Sequence, residues 1–236
     1  MLKPFFYIIP RTSSTSLTKF LKTCFGPDKV FVRKVVEDIF DGQPVTSKTK
    51  SPSLITLKED LKNHHKFKAF VIMAPFGAHR FIDDDLSLYV TLRDPVERCL
   101  SLIRFMRMNS ELNSINKIVW SFGNDYSGML KEQSLISLRD EQTRMMGNVG
   151  TWEMDHSELL VAKQNLKTFT KVIDFANSSE YRRIARSHGV FSPPEYPSLN
   201  SAQCEISINS DQLNLLERVN SLDRSLYEHF CKQKGV

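Results

Sequence analysis

Two segments of this chain each end an apolar run in an arginine and then supply hydroxyl side chains. The first is Phe5-Phe6-Tyr7-Ile8-Ile9-Pro10-Arg11-Thr12-Ser13-Ser14-Thr15-Ser16-Leu17. The second is Tyr89-Val90-Thr91-Leu92-Arg93-Asp94-Pro95-Val96-Glu97-Arg98-Cys99-Leu100-Ser101. An arginine carries a permanent charge in a planar fork that matches phosphate or sulfate oxygens. Hydroxyls add donors beside it, and a helix start adds unpaired N–H groups at the positive end of the helix dipole. The chemistry within reach is recognition of a phosphate-like anion. A plainer reading stands next to it, in which Ser13 or Ser14 caps a helix and Arg93 is solvated. That reading accounts for Asp94, Pro95 and Glu97 but gives no purpose to Arg93 and Ser101.

The elements that would position these residues follow from periodicity. Phe5 to Ile9 is short, continuously apolar and rich in aromatic and β-branched residues, as a strand buried on both faces should be. Leu17, Phe20, Leu21 and Cys24 then recur at helical spacing. Leu86 to Leu92 reads as a second buried strand. Asp94 suits an N-cap, Pro95 the first helical position and Glu97 the third, a capping box with aspartate as the cap. Cys99, Leu100, Ile103 and Met106 supply the apolar stripe of that helix, and Arg98 and Ser101, three apart, are expected on one face. Strands are expected at 4–9, 30–35, 68–73, 86–92 and 170–175, and helices at 14–24, 54–64, 95–108, 155–168, 178–188 and 211–231. This alternation implies an α/β fold with a central parallel sheet and helices on both faces. Ligands of such sheets bind at the carboxyl ends of the strands, where Arg11 and Arg93 would emerge. No glycine lies between Pro10 and Lys19, so the loop is not a Walker A sequence.

The two segments resemble the 5′-phosphosulfate and 3′-phosphate motifs of sulfotransferases that use 3′-phosphoadenosine-5′-phosphosulfate (PAPS). The likeness is greatest to the carbohydrate (heparan sulfate) 2-O-sulfotransferase-like group and its bacterial relatives. The family loop P-K-T-[GA]-[ST]-[ST]-[ST] reads Pro10 to Ser16 here, and R-D-P-x-x-R-x-x-S is intact from Arg93 to Ser101. Three further stretches follow in the expected order: Pro75 to Phe81 is similar to P-F-G-L-H-R-Y, Asp140 to Gly147 to N-L-Q-T-R-x-L-x-G, and Leu159 to Leu166 to the helix that carries A-K-x-N-L. The resemblance implies a P-loop-NTPase-like three-layer fold and sulfuryl transfer from PAPS to an acceptor hydroxyl by in-line displacement, without a metal. It implies that Arg11, Thr12, Ser13, Ser14, Thr15 and Ser16 hold the 5′ end of the donor. Arg93 and Ser101 would recognise the 3′-phosphate, which distinguishes PAPS from ATP. Asn200 and Ser201 fall where the family has a cofactor-closing loop.

Two residues depart from the pattern. The family's loop lysine, expected to stabilise charge on the bridging oxygen, is Arg11 here, with the same charge but another reach and geometry. The family's histidine base lies two residues before P-F-G, where this chain has Met73, which cannot take a proton. His79 is the replacement candidate, since an unperturbed histidine titrates in the useful range; a structural or substrate-holding role is the alternative. His64 and His65 read as a cationic helix end, and Asp83, Asp84 and Asp85 as a solvated turn. The 109–151 stretch is expected to be an acceptor-cleft excursion from a single 1–236 domain, with Arg80, Arg107 and Arg144 as acceptor contacts. Asp41 to Pro52 reads as an exposed loop.

The overall composition agrees. The chain has 236 residues, 41% of them hydrophobic, enough to bury a core. A net charge of +5 favours anionic ligands such as PAPS or an acidic glycan, and no nucleic-acid-binding motif is present. The four cysteines lack zinc spacing, and free core thiols are the reading for Cys24 and Cys99. Five apolar residues before Pro-Arg are too few for a signal sequence or a membrane span, so a soluble, cytoplasmic protein is expected. Two alternatives stay open: a PAPS-binding protein of this fold that has lost catalysis, and a P-loop-like small-molecule kinase, against which the absent Walker lysine weighs.

Overall fold

The structure, a computed structural model, describes residues 2–34, 57–147, 153–197 and 206–232. Among the described residues, five strands form one sheet: β1 (Lys3–Tyr7), β2 (Val30–Lys34), β3 (Ala69–Met73), β4 (Leu86–Leu92) and β5 (Lys171–Asp174). Their order is β2-β3-β1-β4-β5, and every neighbouring pair is parallel. Tyr7, the last residue of β1, pairs with Ile72 on one side and Val90 on the other, so the three middle strands end on the same edge of the sheet. Their continuous apolar runs follow from burial on both faces.

The pleat sends alternate residues of β1 into two separate cores. Phe5, Tyr7 and Ile9 join Phe70, Ile72, Val90 and Leu92 on one face. There they meet Met145 and Met146 of α5 (Glu141–Gly147), Leu159 and Ala162 of α6 (His156–Leu166), and Leu226 of α9 (Ser221–Tyr227). Phe6 and Ile8 face the other way, against Leu17, Phe20 and Leu21 of α1 (Ser14–Phe25) and Ile184 and Ala185 of α7 (Ser179–Ser187). The α/β three-layer architecture expected from the sequence is therefore the one observed, with helices on both faces of a parallel sheet.

A third core lies beside the sheet. It joins Cys99, Leu102 and Ile103 of α2 (Pro95–Met108) to α3 (Ser114–Ser121), α4 (Tyr126–Lys131), the turn at Gln133–Leu138 and Leu216 of α8 (Ser210–Val219). Most of the stretch expected as an acceptor-cleft excursion is thus a helical layer with its own buried side chains, Tyr126 and Met129 among them. Asp41 to Pro52 and residues 148–151 lie outside the described residues.

Two expected helices differ in form. In the 54–64 region, 57–60 is α-helical and continues as a 3-10 segment over Leu61–Lys66. The single helix expected at 211–231 is broken at Asn220, between α8 and α9. Asn220 is fully buried, donates to the carbonyls of Leu138 and Leu216 and accepts from the Asp140 N–H. Those bonds hold its backbone away from helical geometry, at φ −120° and ψ 30°. Among the described residues, no helix is long and apolar enough to cross a membrane.

Candidate functional site

Arg11 follows β1 and Arg93 follows β4, and because these strands are adjacent and parallel the two side chains meet at one edge. Arg11 Nε donates to Ser101 Oγ at 3.1 Å, and Arg93 Nη1 donates to the Arg11 carbonyl at 3.2 Å. The residues line a cavity of about 300 Å³ with Ser13, Ser14, Thr15, Ser16, Phe175, Ala176, Ser178, Tyr196 and Pro197. Two motifs about 80 residues apart in sequence therefore make one site. The cavity shares Ser14 and Thr15 with a wider groove of about 710 Å³ along α1 that also carries Lys19 and Lys22.

The loop between β1 and α1 is held in an unusual conformation. Arg11 and Ser13 both have positive φ, 68° and 71°, which non-glycine residues adopt at a cost. Other groups hold them there. Thr12 is buried and its hydroxyl bonds the Ile9 carbonyl at 2.8 Å, so Thr12 shapes the turn and does not line the cavity. Ser13 Oγ lies 2.7 Å from Tyr196 OH and 3.2 Å from Tyr181 OH, and Tyr181 is in turn 2.6 Å from Thr91 Oγ1. Ser13 stands at the N-cap of α1 but its side chain makes no capping bond, and the first turn carries no acidic residue. With no capping bond from Ser13, this positive end of the helix dipole faces the cavity, which Ser14 and Thr15 of the first turn line.

Arg93 is fixed from several directions. Its N–H donates to Gln142 Oε1 at 2.9 Å, and Gln142 Nε2 donates to its carbonyl at 2.9 Å. Its Nη2 is 3.6 Å from Glu97, and its guanidinium carbon is 4.4 Å from the centre of the Phe175 ring. The guanidinium carbon of Arg11 is likewise 4.9 Å from the centre of the Phe105 ring. Burial pulls the pKa of both arginines below the usual value, and for Arg93 Glu97 opposes this while Arg11 adds to it. Asp94 caps α2 as expected, accepting from the N–H groups of Val96 and Glu97, while Glu97 turns to Arg93.

Arg98 and Ser101, one turn apart on α2, have different surroundings. Ser101 lines the cavity, whereas Arg98 is fully buried, donates to the Ser137 carbonyl and lies 4.0 Å from Asp223. Asp223 also accepts from the N–H groups of Gln142 and Thr143, and Arg224 pairs with Asp94. This network, buried at Arg98 and Asp223 and partly exposed at Arg224 and Asp94, ties α9 and α5 to the start of α2 and so to the residue after Arg93.

His79 does not line the cavity with Arg11 and Arg93. Its Nδ1 is 2.6 Å from Tyr7 OH, and it packs against Phe5 and Phe76. Tyr7 OH already accepts from the N–H groups of Gly77 and His79, at 3.1 and 3.0 Å. Both phenol lone pairs are then used, so its proton goes to Nδ1 and the neutral ring carries its own proton on Nε2. Burial, with Arg80 adding, lowers the His79 pKa and keeps the ring neutral near pH 7. As placed, His79 is a donor at Nε2.

The expected acceptor contacts separate. Arg80 is exposed and its guanidinium carbon is 5.7 Å from the centre of the Phe76 ring. Arg107 bonds the Gly123 carbonyl and packs on Tyr126. Arg144 is buried, 3.6 Å from Glu141, and donates to the Arg139 carbonyl. None of the three lines the cavity holding Arg11. Asn200 and Ser201 lie outside the described residues. Sequence reasoning missed Phe175, Tyr196, Phe105 and Gln142. Phe175 had a usable signal, since it ends an expected strand at the ligand-binding edge; Gln142 falls on the Q of the N-L-Q-T-R likeness, but its main-chain partner 49 positions away could not be read from sequence.

No protein-family model matches the chain, and no curated protein sequence is significantly similar to it. Among solved structures, a sulfotransferase from Alicyclobacillus acidocaldarius superposes over 97% of this chain and 95% of its own, with a TM-score of 0.50 and 15% identity. A mouse sulfotransferase, SULT7A1, complexed with PAP, is a more distant match over 92% of this chain and 62% of its own, with a TM-score of 0.39 and 13% identity. The chain shares the fold of the bacterial sulfotransferase.

Proposed function

We propose that the protein transfers the sulfuryl group of PAPS to the hydroxyl of a carbohydrate acceptor. The observation that carries this reading is the meeting of Arg11, Arg93 and Ser101 over the uncapped start of α1 in one cavity. Two arginines, from adjacent strand ends and with hydroxyls on either side, suit a nucleotide phosphorylated at both ends of its ribose. The motif resemblance and the shared fold support the same donor.

In this reading Ser14, Thr15 and Ser16, with their amides, hold the 5′-phosphosulfate, and Ser13 keeps the loop open to it. Arg11 offsets charge on the oxygen between phosphorus and sulfur as that bond breaks. Arg93 and Ser101 take the 3′-phosphate. The acceptor oxygen attacks sulfur in line, adenosine 3′,5′-bisphosphate (PAP) leaves with the bonding electrons, and the acceptor proton passes to a base. Positioning and electrostatics supply most of the rate, as in phosphoryl transfer. For His79 to be that base its Nε2 must lose its proton, which requires Tyr7 to stop donating to Nδ1. A carbohydrate acceptor and the 2-O-type subgroup rest on the motif resemblance, and Lys19 and Lys22 in the adjoining groove suit an anionic one.

Transfer of labelled sulfate from PAPS to a panel of neutral and acidic glycans tests the proposal. Label appearing in a glycan supports it. PAPS binding with no transfer to any hydroxyl acceptor would favour a catalytically impaired binding protein, for which Met73 and the Nε2–H form of His79 speak.

A further inference from the structure

We propose that Phe105 and Phe175 are positioning residues for the two arginines, and that Phe105 is the reason residue 11 is an arginine where the resembling loops have lysine. The inference rests on the nucleotide reading of the site. Ser101 and Phe105 are four apart on α2, so one helix face offers a hydroxyl and an aromatic ring together. Arg11 uses both: its Nε donates to Ser101 Oγ at 3.1 Å, and its guanidinium carbon sits 4.9 Å from the Phe105 ring centre. A flat guanidinium can lie on a ring and still present N–H groups at its edge. A lysine ammonium has no plane to lie against the ring and no second donor fixed by the first.

Arg93 is held in the same manner by a different element. Its guanidinium carbon is 4.4 Å from the ring centre of Phe175, whose N–H donates to the Leu92 carbonyl at 2.8 Å. Ring and cation thus stand on neighbouring strand ends. The two guanidiniums repel each other, and the Arg11 charge adds to the lowering of the Arg93 pKa. A ring face behind each one offsets that repulsion and fixes where the remaining N–H groups can bind.

A double-mutant cycle of Phe105→Leu and Arg11→Lys tests this. Leucine keeps an apolar side chain at 105, and any packing loss should appear in both backgrounds and cancel. With PAP as the titrant, Phe105→Leu should weaken binding about fivefold when residue 11 is arginine and less than twofold when it is lysine. Phe105→Trp should restore binding in the arginine background. Phe175→Leu should weaken PAP about fivefold while leaving 5′-AMP within twofold. The same loss in both backgrounds would overturn the Phe105 assignment. The cycle is repeated by thermal unfolding without ligand, where Phe105→Leu should lower the melting temperature more in the unaltered background than in the Arg11→Lys background; equal shifts would overturn it. If the unaltered protein binds PAP no better than 5′-AMP, the nucleotide reading falls, and the unfolding cycle alone decides the pairing.

Discussion

Gln142 brackets the main chain of Arg93, accepting from its N–H and donating to its carbonyl, each at 2.9 Å. The residue just past the end of β4 has no strand partner for these groups, so a side-chain amide from α5 takes the place of the missing ladder. Replacing it by an apolar side chain of similar size leaves both groups unpaired. Gln142→Leu should weaken PAP binding by up to about thirtyfold, since two bonds of about 1 kcal/mol each position Arg93. Affinity for 5′-AMP should change little. Calorimetric titration of the variant with both nucleotides measures the difference, and an equal loss for the two would detach Gln142 from the 3′-phosphate end.

Arg93→Ala removes the cation itself. Charge-assisted hydrogen bonds are worth roughly 1.5–3 kcal/mol, so PAP affinity should fall by about one to two orders of magnitude. The preference for PAP over 5′-AMP should disappear with it. Competition binding reports the ratio directly; a preserved preference would move the 3′-phosphate elsewhere.

Tyr7 OH answers three groups at once: the N–H of Gly77, the N–H of His79 and Nδ1 of the His79 ring. Tyr7→Phe keeps the ring but strands two amides, and stability should fall by about 1–3 kcal/mol in urea unfolding. The ring nitrogens of His79 provide a second readout. In the unaltered protein ¹⁵N shifts should show Nε2 protonated and Nδ1 bare at neutral pH, and Tyr7→Phe should release that preference. A protonated Nδ1 in the unaltered protein would reverse the hydrogen-bond assignment and restore Nε2 as a base.

Burial pushes the Glu141 carboxyl up to about 7, against the opposing pull of Arg144 and then Arg98. Asp140 is raised to about 7 by burial and by Asp223. A carboxyl whose pKa is higher folded than unfolded holds its proton more tightly in the native state. Its contribution is complete below the unfolded value of about 4 and is lost as pH rises through about 7. Glu141→Gln removes one such group, so the unaltered protein should lose stability relative to this variant between about pH 5 and pH 7. Urea unfolding at the two pH values checks the sign, and parallel profiles would contradict it.

The parts of this molecule legible in the sequence are those set by local pattern. β4, the Asp94 cap and α2 follow from an apolar run, an N-cap and a proline at the first helical position, each of which acts on its own neighbours. Arg11, Arg93 and Ser101 could be placed at one edge because parallel strands deliver their carboxyl ends together. What could not be read depends on packing across the chain. Helical spacing puts Arg98 beside Ser101, yet the third core and Asp223 draw Arg98 inward. The apolar stripe from 211 to 231 gives no sign of a break, because the bonds that bend Asn220 come from Leu138 and Asp140. Arg144 is expected from sequence as an acceptor contact, but Glu141 one turn earlier accompanies it into the interior. His79 lies in a 3-10 turn, Ala78–Phe81, and only the lone pairs of Tyr7 show which nitrogen holds the proton.

The central claim is that the cavity between α1 and the end of β4 recognises both ends of a ribose bisphosphate. Calorimetric titration of the unaltered protein with PAP, against 5′-AMP as control, tests it most directly. The account predicts one site with a preference for PAP of about tenfold or more, from the charge-assisted bonds of Arg93 and Ser101 to the extra phosphate. Equal affinity for the two, or binding of neither, would contradict it and leave the shared fold without this donor.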